Sequence, residues 1–141
     1  MTLHITRTKE TARLPVRAHP GDAGLDLYAD EQVEIPEFGR ALVSTGLKMA
    51  IDPGKVGLIW PRSGRAVKGL SVDAGVIDSS YRGLVKVLVT NFTKHRVTVM
   101  PGDKIAQLLI QPVYADTIVD CAELSESERG ELGFGSSGNG V

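Results

Sequence analysis

Cysteine, aromatic residues and an excess of charge are all scarce in this sequence of 141 residues. Its one cysteine, Cys121, has no partner for an internal disulfide, and its three histidines lack the spacing of a structural zinc site. Only three phenylalanines, three tyrosines and one tryptophan are present, so the core must be mainly aliphatic. We therefore expect no disulfide partner and a reduced, cytoplasmic compartment.

The balance of charge excludes further classes of partner. Sixteen basic and seventeen acidic residues give a formal net charge of −1, which leaves no broad basic surface for nucleic acid. No apolar run is long enough to cross a bilayer, and the first residues do not have the pattern of a signal peptide. The sequence therefore predicts one globular domain with no nucleic acid and no membrane among its partners.

The sequence does contain many short β-branched runs separated by Gly, Pro and Asp, a pattern typical of strands joined by tight turns. The predicted strands cover residues 32–35, 41–47, 56–60, 84–91, 97–100, 105–111 and 117–121. Helical periodicity is absent, and one short helical turn is predicted at 63–68, capped by Ser63. The fold class is therefore all-β: a sandwich, jelly roll or barrel.

The C-terminal segment has a different composition. Residues 129–141 are mostly glycines and serines with one arginine and one aromatic residue, Phe134, and cannot form a core. Ordering such a chain costs much entropy, so the segment alone should be flexible. We predict a β domain over residues 1–124 and a flexible, Gly-rich lid over 125–141 that closes on a phosphorylated ligand. A plain disordered terminus is the alternative.

Two segments place a carboxylate where a strand protein has no structural need of one. Asp26 lies between Leu25 and Leu27, so strand alternation directs it away from the core, where it could hold hydrated Mg²⁺ or simply face solvent. Asp78 follows an apolar pair and precedes a turn, and it could act as a general base on water. Arg82 could then pair with Asp78 or with another carboxylate. The alternative is an Asx-type turn, with Arg82 in a surface ion pair.

Two further segments could bind phosphate. At residues 60–65 (WPRSGR) a strand ends at a proline, and Arg62 and Ser63 would offer a cation and a hydroxyl, although a plain turn has the same composition. At residues 101–110 Gly102 and Asp103 predict a hairpin turn, after which Gln107 shares a face with apolar residues. A buried amide needs a hydrogen-bond partner, which a phosphate, a water or a backbone group would supply.

Taken in order, five segments resemble the motifs of the trimeric dUTP pyrophosphatases, the dUTPases. They are residues 23–28 (AGLDLY), 61–64 (PRSG), 75–83 (GVIDSSYRG), 102–107 (GDKIAQ) and 129–138 (RGELGFGSSG). The resemblance covers nearly the whole chain. It implies a jelly-roll or distorted β-barrel homotrimer with composite active sites, and Mg²⁺-dependent hydrolysis of dUTP to dUMP and pyrophosphate.

The resemblance also implies a role for individual residues. Asp78 would deprotonate the water that attacks the α-phosphorus, and Asp26 would hold Mg²⁺ through water. Tyr81 would pack on the deoxyribose, Phe134 would stack on uracil, and backbone groups of residues 70–77 would read the uracil edge. Substrate contacts are implied for Arg62, Ser63, Gly64, Val76, Ile77, Asp78, Tyr81, Lys86, Gln107, Arg129, Phe134, Gly135 and Ser136.

Departures from the family pattern include Arg65 where leucine is usual, Ser80 where aspartate is frequent and Leu132 where glycine is common. Two alternative functions were compared with dUTP hydrolysis. A dCTP deaminase shares the fold but needs a glutamate proton shuttle, and no Asp or Glu occurs between Asp78 and Asp103. A non-catalytic jelly roll would bind a nucleotide without releasing pyrophosphate.

Overall fold

The computed structural model describes residues 2–133 and confirms an all-β fold with one short helix. The strands in this range are β1 (His4–Arg7), β2 (Leu25–Tyr28), β3 (Val33–Ile35), β4 (Arg40–Ala50), β5 (Lys55–Trp60), β6 (Leu70–Asp73), β7 (Val76–Ile77), β8 (Val85–Asn91), β9 (Val97–Val99) and β10 (Lys104–Pro112). Helix α1 covers Ser63–Ala66. None of the helices within residues 2–133 is long and apolar enough to cross a membrane.

The strands form two four-stranded antiparallel sheets and one two-stranded sheet. Strand order is β1-β4-β8-β6 in the first, β2-β10-β5-β7 in the second and β3-β9 in the third. A single hydrophobic cluster draws buried side chains from all three sheets, including Val87, Leu108 and Ile35. Side chains alternate between the two faces of each strand. One face of the second sheet therefore packs on this core, and the opposite face is available for polar side chains.

Strand β8 shows how the aliphatic composition builds the core. Val85, Val87 and Val89 are 2%, 0% and 1% exposed, whereas the intervening Lys86 points to the exposed face. Tyr28, at 8% exposure, is the one aromatic residue among the buried hydrophobic side chains of the described range. Burying each valine contributes about 1.5–3 kcal/mol, so the strand needs no aromatic anchor.

A bulge in β4 brings the N-terminal segment onto the sheet. The register with β8 shifts between Ser44 and Leu47, and Gly46 within it has φ of +67°. A β-carbon at Gly46 would lie 2.7 Å from Ala12 Cβ and 2.7 Å from Asp30 Oδ2, so only glycine fits this turn of the backbone. The Asp30 carboxylate beside it pairs with Lys9 Nζ at 3.1 Å.

The buried side chain of Asn91 joins three segments at one end of the molecule. Its Nδ2 donates to the carbonyl oxygens of Pro36 at 2.9 Å and His95 at 2.7 Å, and its Oδ1 accepts from the backbone N–H of Thr93 at 2.9 Å. The residue is fully buried. Each of these bonds replaces water that the folded chain excludes, so the amide is needed to satisfy the backbone around it.

Three local predictions are wrong. Residues 117–121 form no strand in the described structure, and Ile118 and Val119 are 96% and 73% exposed, because a β-branched run becomes a strand only where a partner strand pairs with it. Helix α1 is capped by Arg62 rather than Ser63, and within residues 2–133 no side chain bonds this end. The predicted strands also omit β1, β2, β6 and β7, each of four residues or fewer.

The turn at residues 101–103 forms as predicted, but it does not make a hairpin. Asp103 N–H donates to the Met100 carbonyl at 3.0 Å, and Gly102 has φ of +87°. β9 pairs with β3, whereas β10 pairs with β2 and β5, so the turn carries the chain from one sheet to another. A turn sequence predicts that the chain reverses direction. It does not predict which strands pair, because strand partners depend on packing.

Replacing Asn91 by alanine should lower the free energy of unfolding by about 2–4 kcal/mol, because buried carbonyl groups lose their donor. Urea unfolding followed by circular dichroism measures this. Thr98→Ala is the control, since its hydroxyl bonds Glu34 on the exposed surface, and should cost well under about 1 kcal/mol. Equal stability of the Asn91→Ala protein and the natural chain would contradict a structural role for this amide.

Candidate active site

Three neighbouring strands bring the first group of predicted residues together. β10 lies between β2 and β5, and its Gln107 pairs with Asp26 on one side and with Trp60 on the other. Paired positions share a face of the sheet, so Asp26 and Gln107 lie side by side, opposite the core. The chain leaves β5 after Trp60 and begins α1 at Ser63, which places Arg62 beside this face.

The Asp26 carboxylate is held between two cations. Arg62 Nε lies 2.9 Å from Oδ1 and Lys104 Nζ lies 2.7 Å from Oδ2, and the Asp26 side chain is only 10% exposed. Of the two expectations for this residue, a solvent-facing aspartate is therefore wrong. The sequence predicts no role for Lys104, although this residue lies in the motif at 102–107. Its pairing with Asp26 follows only from the pairing of β10 with β2.

Gln107 has a backbone partner, as its position requires. Its Nε2 donates to the Pro61 carbonyl at 3.0 Å, which joins β10 to the loop before α1. Gly24 makes room for this side chain, because a β-carbon there would lie 2.4 Å from Gln107 Oε1. A bulge between Lys104 and Ala106 separates Gln107 from the face of the buried Ile105, so the single apolar stripe predicted for β10 does not form.

These residues surround an open cavity of about 400 Å³. It is lined by Ala18, His19, Asp22, Ala23, Gly24, Asp26, Arg62, Ser63, Gly64 and Gln107. Its charged walls are the Arg62 guanidinium and the carboxylates of Asp22 and Asp26, and Lys104 pairs with Asp26 from outside the lining. With a guanidinium, a hydroxyl and a carboxamide on its walls, the cavity is suited to a polyanion such as a phosphate chain. We call it the phosphate cavity.

A second cavity, of about 500 Å³, holds the other predicted residues. It is lined by Ile59, Gly75, Val76, Ile77, Asp78, Tyr81, Leu84, Val85 and Lys86, and we call it the nucleoside cavity. Gly75, which has φ of +108°, shapes one wall: its carbonyl accepts from Ile59 N–H at 2.8 Å. A β-carbon there would meet the Ile59 carbonyl oxygen at 2.8 Å, so this close approach requires glycine.

A tight turn positions Asp78 and Tyr81 on the rim of the nucleoside cavity. Tyr81 N–H donates to the Asp78 carbonyl at 3.0 Å, and the Tyr81 hydroxyl donates to the Leu84 carbonyl at 3.1 Å. The Asp78 side chain itself is exposed to the cavity. The expected pairing of Arg82 with a carboxylate is not found within residues 2–133: its guanidinium donates to the carbonyls of Ser79 and Tyr81.

The structure thus divides the predicted residues between two places. Among described residues, the two cavities have no lining residue in common. Arg129 belongs to neither cavity: it is exposed, and its Nε donates to the Leu132 carbonyl at 2.7 Å. The predicted contacts of Phe134, Gly135 and Ser136 lie outside the described residues.

A third cavity, of about 330 Å³, contains none of the predicted site residues of the described range. On its wall Lys55 Nζ lies 2.7 Å from Asp52 Oδ2, and this ammonium lowers the pKa of the Asp52 carboxyl. The same two residues close the turn before β5, where Lys55 N–H donates to the Asp52 carbonyl. This ion pair is therefore explained by the turn.

The side chains of the phosphate cavity fit a magnesium ion only when a bound phosphate supplies further ligands to it. Within residues 2–133 no group of three or more His, Cys, Asp or Glu side chains could hold a metal. Asp26 is the buried carboxylate of the phosphate cavity, and both of its oxygens already face cations. Mg²⁺ keeps several waters and commonly binds through one or two carboxylates plus substrate phosphates, which is the arrangement this cavity can accommodate.

Comparison with known proteins gives a consistent result. A family model described as dUTPase matches residues 10–138. The deoxyuridine 5'-triphosphate nucleotidohydrolase of Clostridium kluyveri is 43% identical over 141 residues, covering 98% of this chain and 99% of the relative. That of Mycolicibacterium gilvum is 46% identical over 146 residues, covering 97% and 95%.

Solved structures are similar over the same length. The Staphylococcus bacteriophage 80alpha dUTPase with dUpNHpp has a TM-score of 0.89 and 32% identity, covering 98% of this chain and 99% of that one. An aspartate-to-asparagine mutant of the dUTPase from phage phi11 of S. aureus has a TM-score of 0.83 and 27% identity, covering 89% and 100%. The phi11 mutant structure describes the coordination of a structural Mg(II) ion.

Replacing Gly24 by alanine should displace Gln107 from the Pro61 carbonyl and weaken binding of inorganic pyrophosphate about five- to tenfold. Isothermal titration calorimetry measures the affinity. Gly21→Ala is the matched control, because no described atom lies within 4 Å of the position its β-carbon would take. Unchanged pyrophosphate affinity in Gly24→Ala would separate Gln107 from anion binding.

Proposed function

The chain belongs to the dUTPase family and hydrolyses dUTP to dUMP and pyrophosphate, and from this premise we propose how its residues share the reaction. The observation that supports the proposal is the difference in lining between the phosphate cavity and the nucleoside cavity. One is lined by a guanidinium, a hydroxyl, a carboxamide and the Asp26 carboxylate, and the other combines apolar walls with an exposed carboxylate. A triphosphate and a nucleoside require these two environments.

Asp78 is the general base in this proposal. A base must reach its water through a hydrogen bond, and Asp78 lies exposed on the cavity rim with its backbone fixed by the turn to Tyr81. The water attacks the α-phosphorus and forms a new P–O bond while the bond from that phosphorus to the bridging oxygen breaks. Pyrophosphate leaves with the bridging oxygen, and the proton of the water passes to Asp78.

The nucleoside cavity holds the base and the sugar. Val76 and Ile77 form the short strand β7, whose backbone borders the cavity and would read the uracil edge. Tyr81 would lie against the deoxyribose, and its ring is fixed by the Leu84 carbonyl and by contact with Gly83. Lys86, which also lines the cavity, would supply a cation. A rigid tyrosine leaves little room for a 2′-hydroxyl, which favours deoxynucleotides.

The phosphate cavity holds the triphosphate. Arg62, Ser63, Gly64 and Gln107 would donate to phosphate oxygens, and Asp26 would bind Mg²⁺ through water. When bound, Mg²⁺ withdraws negative charge from the phosphates and so lowers the barrier to attack by water. The Arg62 guanidinium is already held by Asp26, which reduces the entropy lost when substrate binds.

The separation of the two cavities supports a homotrimer with composite active sites. Each chain would contribute its phosphate cavity to one site and its nucleoside cavity to another. Apolar side chains remain exposed on the single chain, including Trp60 at 54%, Val76 at 69% and Ile118 at 96%. Contact between subunits would bury such surface, and the unpaired segment after β10 would then gain the neighbour that it lacks within residues 2–133.

The lid over residues 125–141 completes the proposal. Arg129 would reach the γ-phosphate, Phe134 would stack on uracil, and Gly135 and Ser136 would donate to phosphate oxygens. Closure would exclude bulk water from the reacting phosphate, which strengthens every electrostatic contact inside the site. A cytoplasmic location, where dUTP would be removed and dUMP supplied, belongs to the same proposal.

Asp78→Asn should retain dUTP binding and lose hydrolysis at least about 10²-fold, because a positioned base is removed. Pyrophosphate release from dUTP, dCTP, dTTP and UTP with Mg²⁺ measures activity, and calorimetry measures binding. Asp52→Asn, in the third cavity, is the matched control and should keep full activity. Near-natural turnover by Asp78→Asn would refute the assignment of the base, whereas binding without turnover in the natural protein would indicate a nucleotide-binding module.

Mixing two inactive variants tests the composite site. If Asp78 and Arg62 of one active site come from different subunits, Asp78→Asn and Arg62→Ala should each be inactive as homotrimers. Co-refolded mixtures should regain part of the natural kcat, since some sites then receive both natural residues. Light scattering should give three times the chain mass. A monomeric mass, or no recovery in verified mixed trimers, would contradict the proposal.

A further inference from the structure

The Arg65 side chain connects helix α1 to the beginning of β10. Its Nε donates to the Lys104 carbonyl at 2.6 Å, and its NH2 nitrogen lies 3.5 Å from Asp103 Oδ2. The side chain is 21% exposed, so most of its length is covered by protein. A planar guanidinium is suited to this double contact, because its donors form a fork that reaches a carbonyl and a carboxylate together.

Both segments that Arg65 connects, helix α1 and the start of β10, are linked to residues of the phosphate cavity. Arg65 stands on the same four-residue helix as Ser63 and Gly64, and one turn after Arg62. The residue it holds, Lys104, pairs with Asp26, and Asp26 pairs with Arg62. The backbone bond from Arg65 N–H to the Arg62 carbonyl, at 2.9 Å, closes this set of contacts, of which Arg62 and Asp26 line the cavity.

The ion pair of Arg62 with Asp26 holds the beginning of this helix, and few side chains hold the rest of it. α1 buries none of its residues, and within residues 2–133 no side chain caps its beginning. Gln107 holds the loop before the helix through the Pro61 carbonyl. Arg65 is therefore the side chain within the helix that joins it to β10, whereas backbone bonds lead the chain on into β6.

We propose that Arg65 is a positioning residue that keeps Arg62, Ser63 and Gly64 arranged for the triphosphate before dUTP arrives. This inference rests on the proposed function of the phosphate cavity. Arg65 acts through other residues, because its Nε and one terminal nitrogen are engaged by Lys104 and Asp103 and it lines none of the cavities found within residues 2–133. Its effect should fall on phosphate binding and leave the nucleoside cavity unchanged.

Arg65→Leu provides the first test, with steady-state kinetics on dUTP and calorimetry with inorganic pyrophosphate and with deoxyuridine. The KM for dUTP should rise about tenfold and pyrophosphate should bind about tenfold more weakly, as when one charge-assisted hydrogen bond is lost. Deoxyuridine affinity should stay within about twofold of the natural value, and kcat should fall less than KM rises. Arg96→Leu, an exposed arginine paired with Glu34, is the matched control.

Arg65→Lys separates geometry from charge and remains informative if Arg65→Leu does not fold, which thermal unfolding detects. Lysine keeps the positive charge but cannot bridge the Lys104 carbonyl and Asp103 in the same plane, so its KM should lie between those of the natural protein and Arg65→Leu. Where Arg65→Leu is unfolded, the KM of Arg65→Lys should exceed the natural value at least about threefold.

Three results would overturn the inference. They are an unchanged pyrophosphate affinity in Arg65→Leu, an equal loss of deoxyuridine affinity, and full restoration of the natural KM by Arg65→Lys. Failure of the natural protein to release pyrophosphate from dUTP would instead contradict the proposed function. The comparison of pyrophosphate affinity between the natural protein and its variants would still decide the role of Arg65.

Discussion

The burial of Asp26 between two cations is the interaction on which the arrangement of this molecule depends. A carboxylate with a side chain only 10% exposed would be costly alone, and Arg62 and Lys104 offset that cost from two different segments. The ion pairs therefore fix β2, the loop after β5 and the start of β10 relative to one another. The phosphate cavity lies among these three segments, and Asp26 and Arg62 on its walls are held in place by the same ion pairs.

Because the two cavities are separate, the groups proposed to bind the triphosphate lie apart from the proposed general base. A triphosphate requires concentrated positive charge, whereas a general base should act beside the reacting phosphorus without being paired to a cation in advance. Within residues 2–133 Asp78 forms no ion pair, and Arg82 next to it is occupied by the carbonyls of Ser79 and Tyr81. The Asp78 carboxylate is thus free of an ion pair among the described residues, and we propose that the assembly of several chains brings it to the phosphates.

Prediction from the sequence succeeded where composition and alternation suffice. The β-branched runs between turn residues predict strands such as β4, β5 and β8, and Gln107 needs a partner because its amide interrupts an apolar pattern. Prediction from composition is wrong at residues 117–121, which are rich in β-branched residues but have no strand beside them in the described structure. It also missed β7, since two residues are too few for a pattern.

The sequence by itself determined the aliphatic core, the all-β class and the order of the five motifs to which we assign the chemistry, because these follow from side-chain type and spacing. Only the tertiary structure decided that Lys104 shares Asp26 with Arg62, that Gln107 bonds the Pro61 carbonyl, and that Arg65 joins α1 to β10. These contacts join residues about 40 to 80 positions apart, and alternation along a strand does not specify which distant strand will lie beside it.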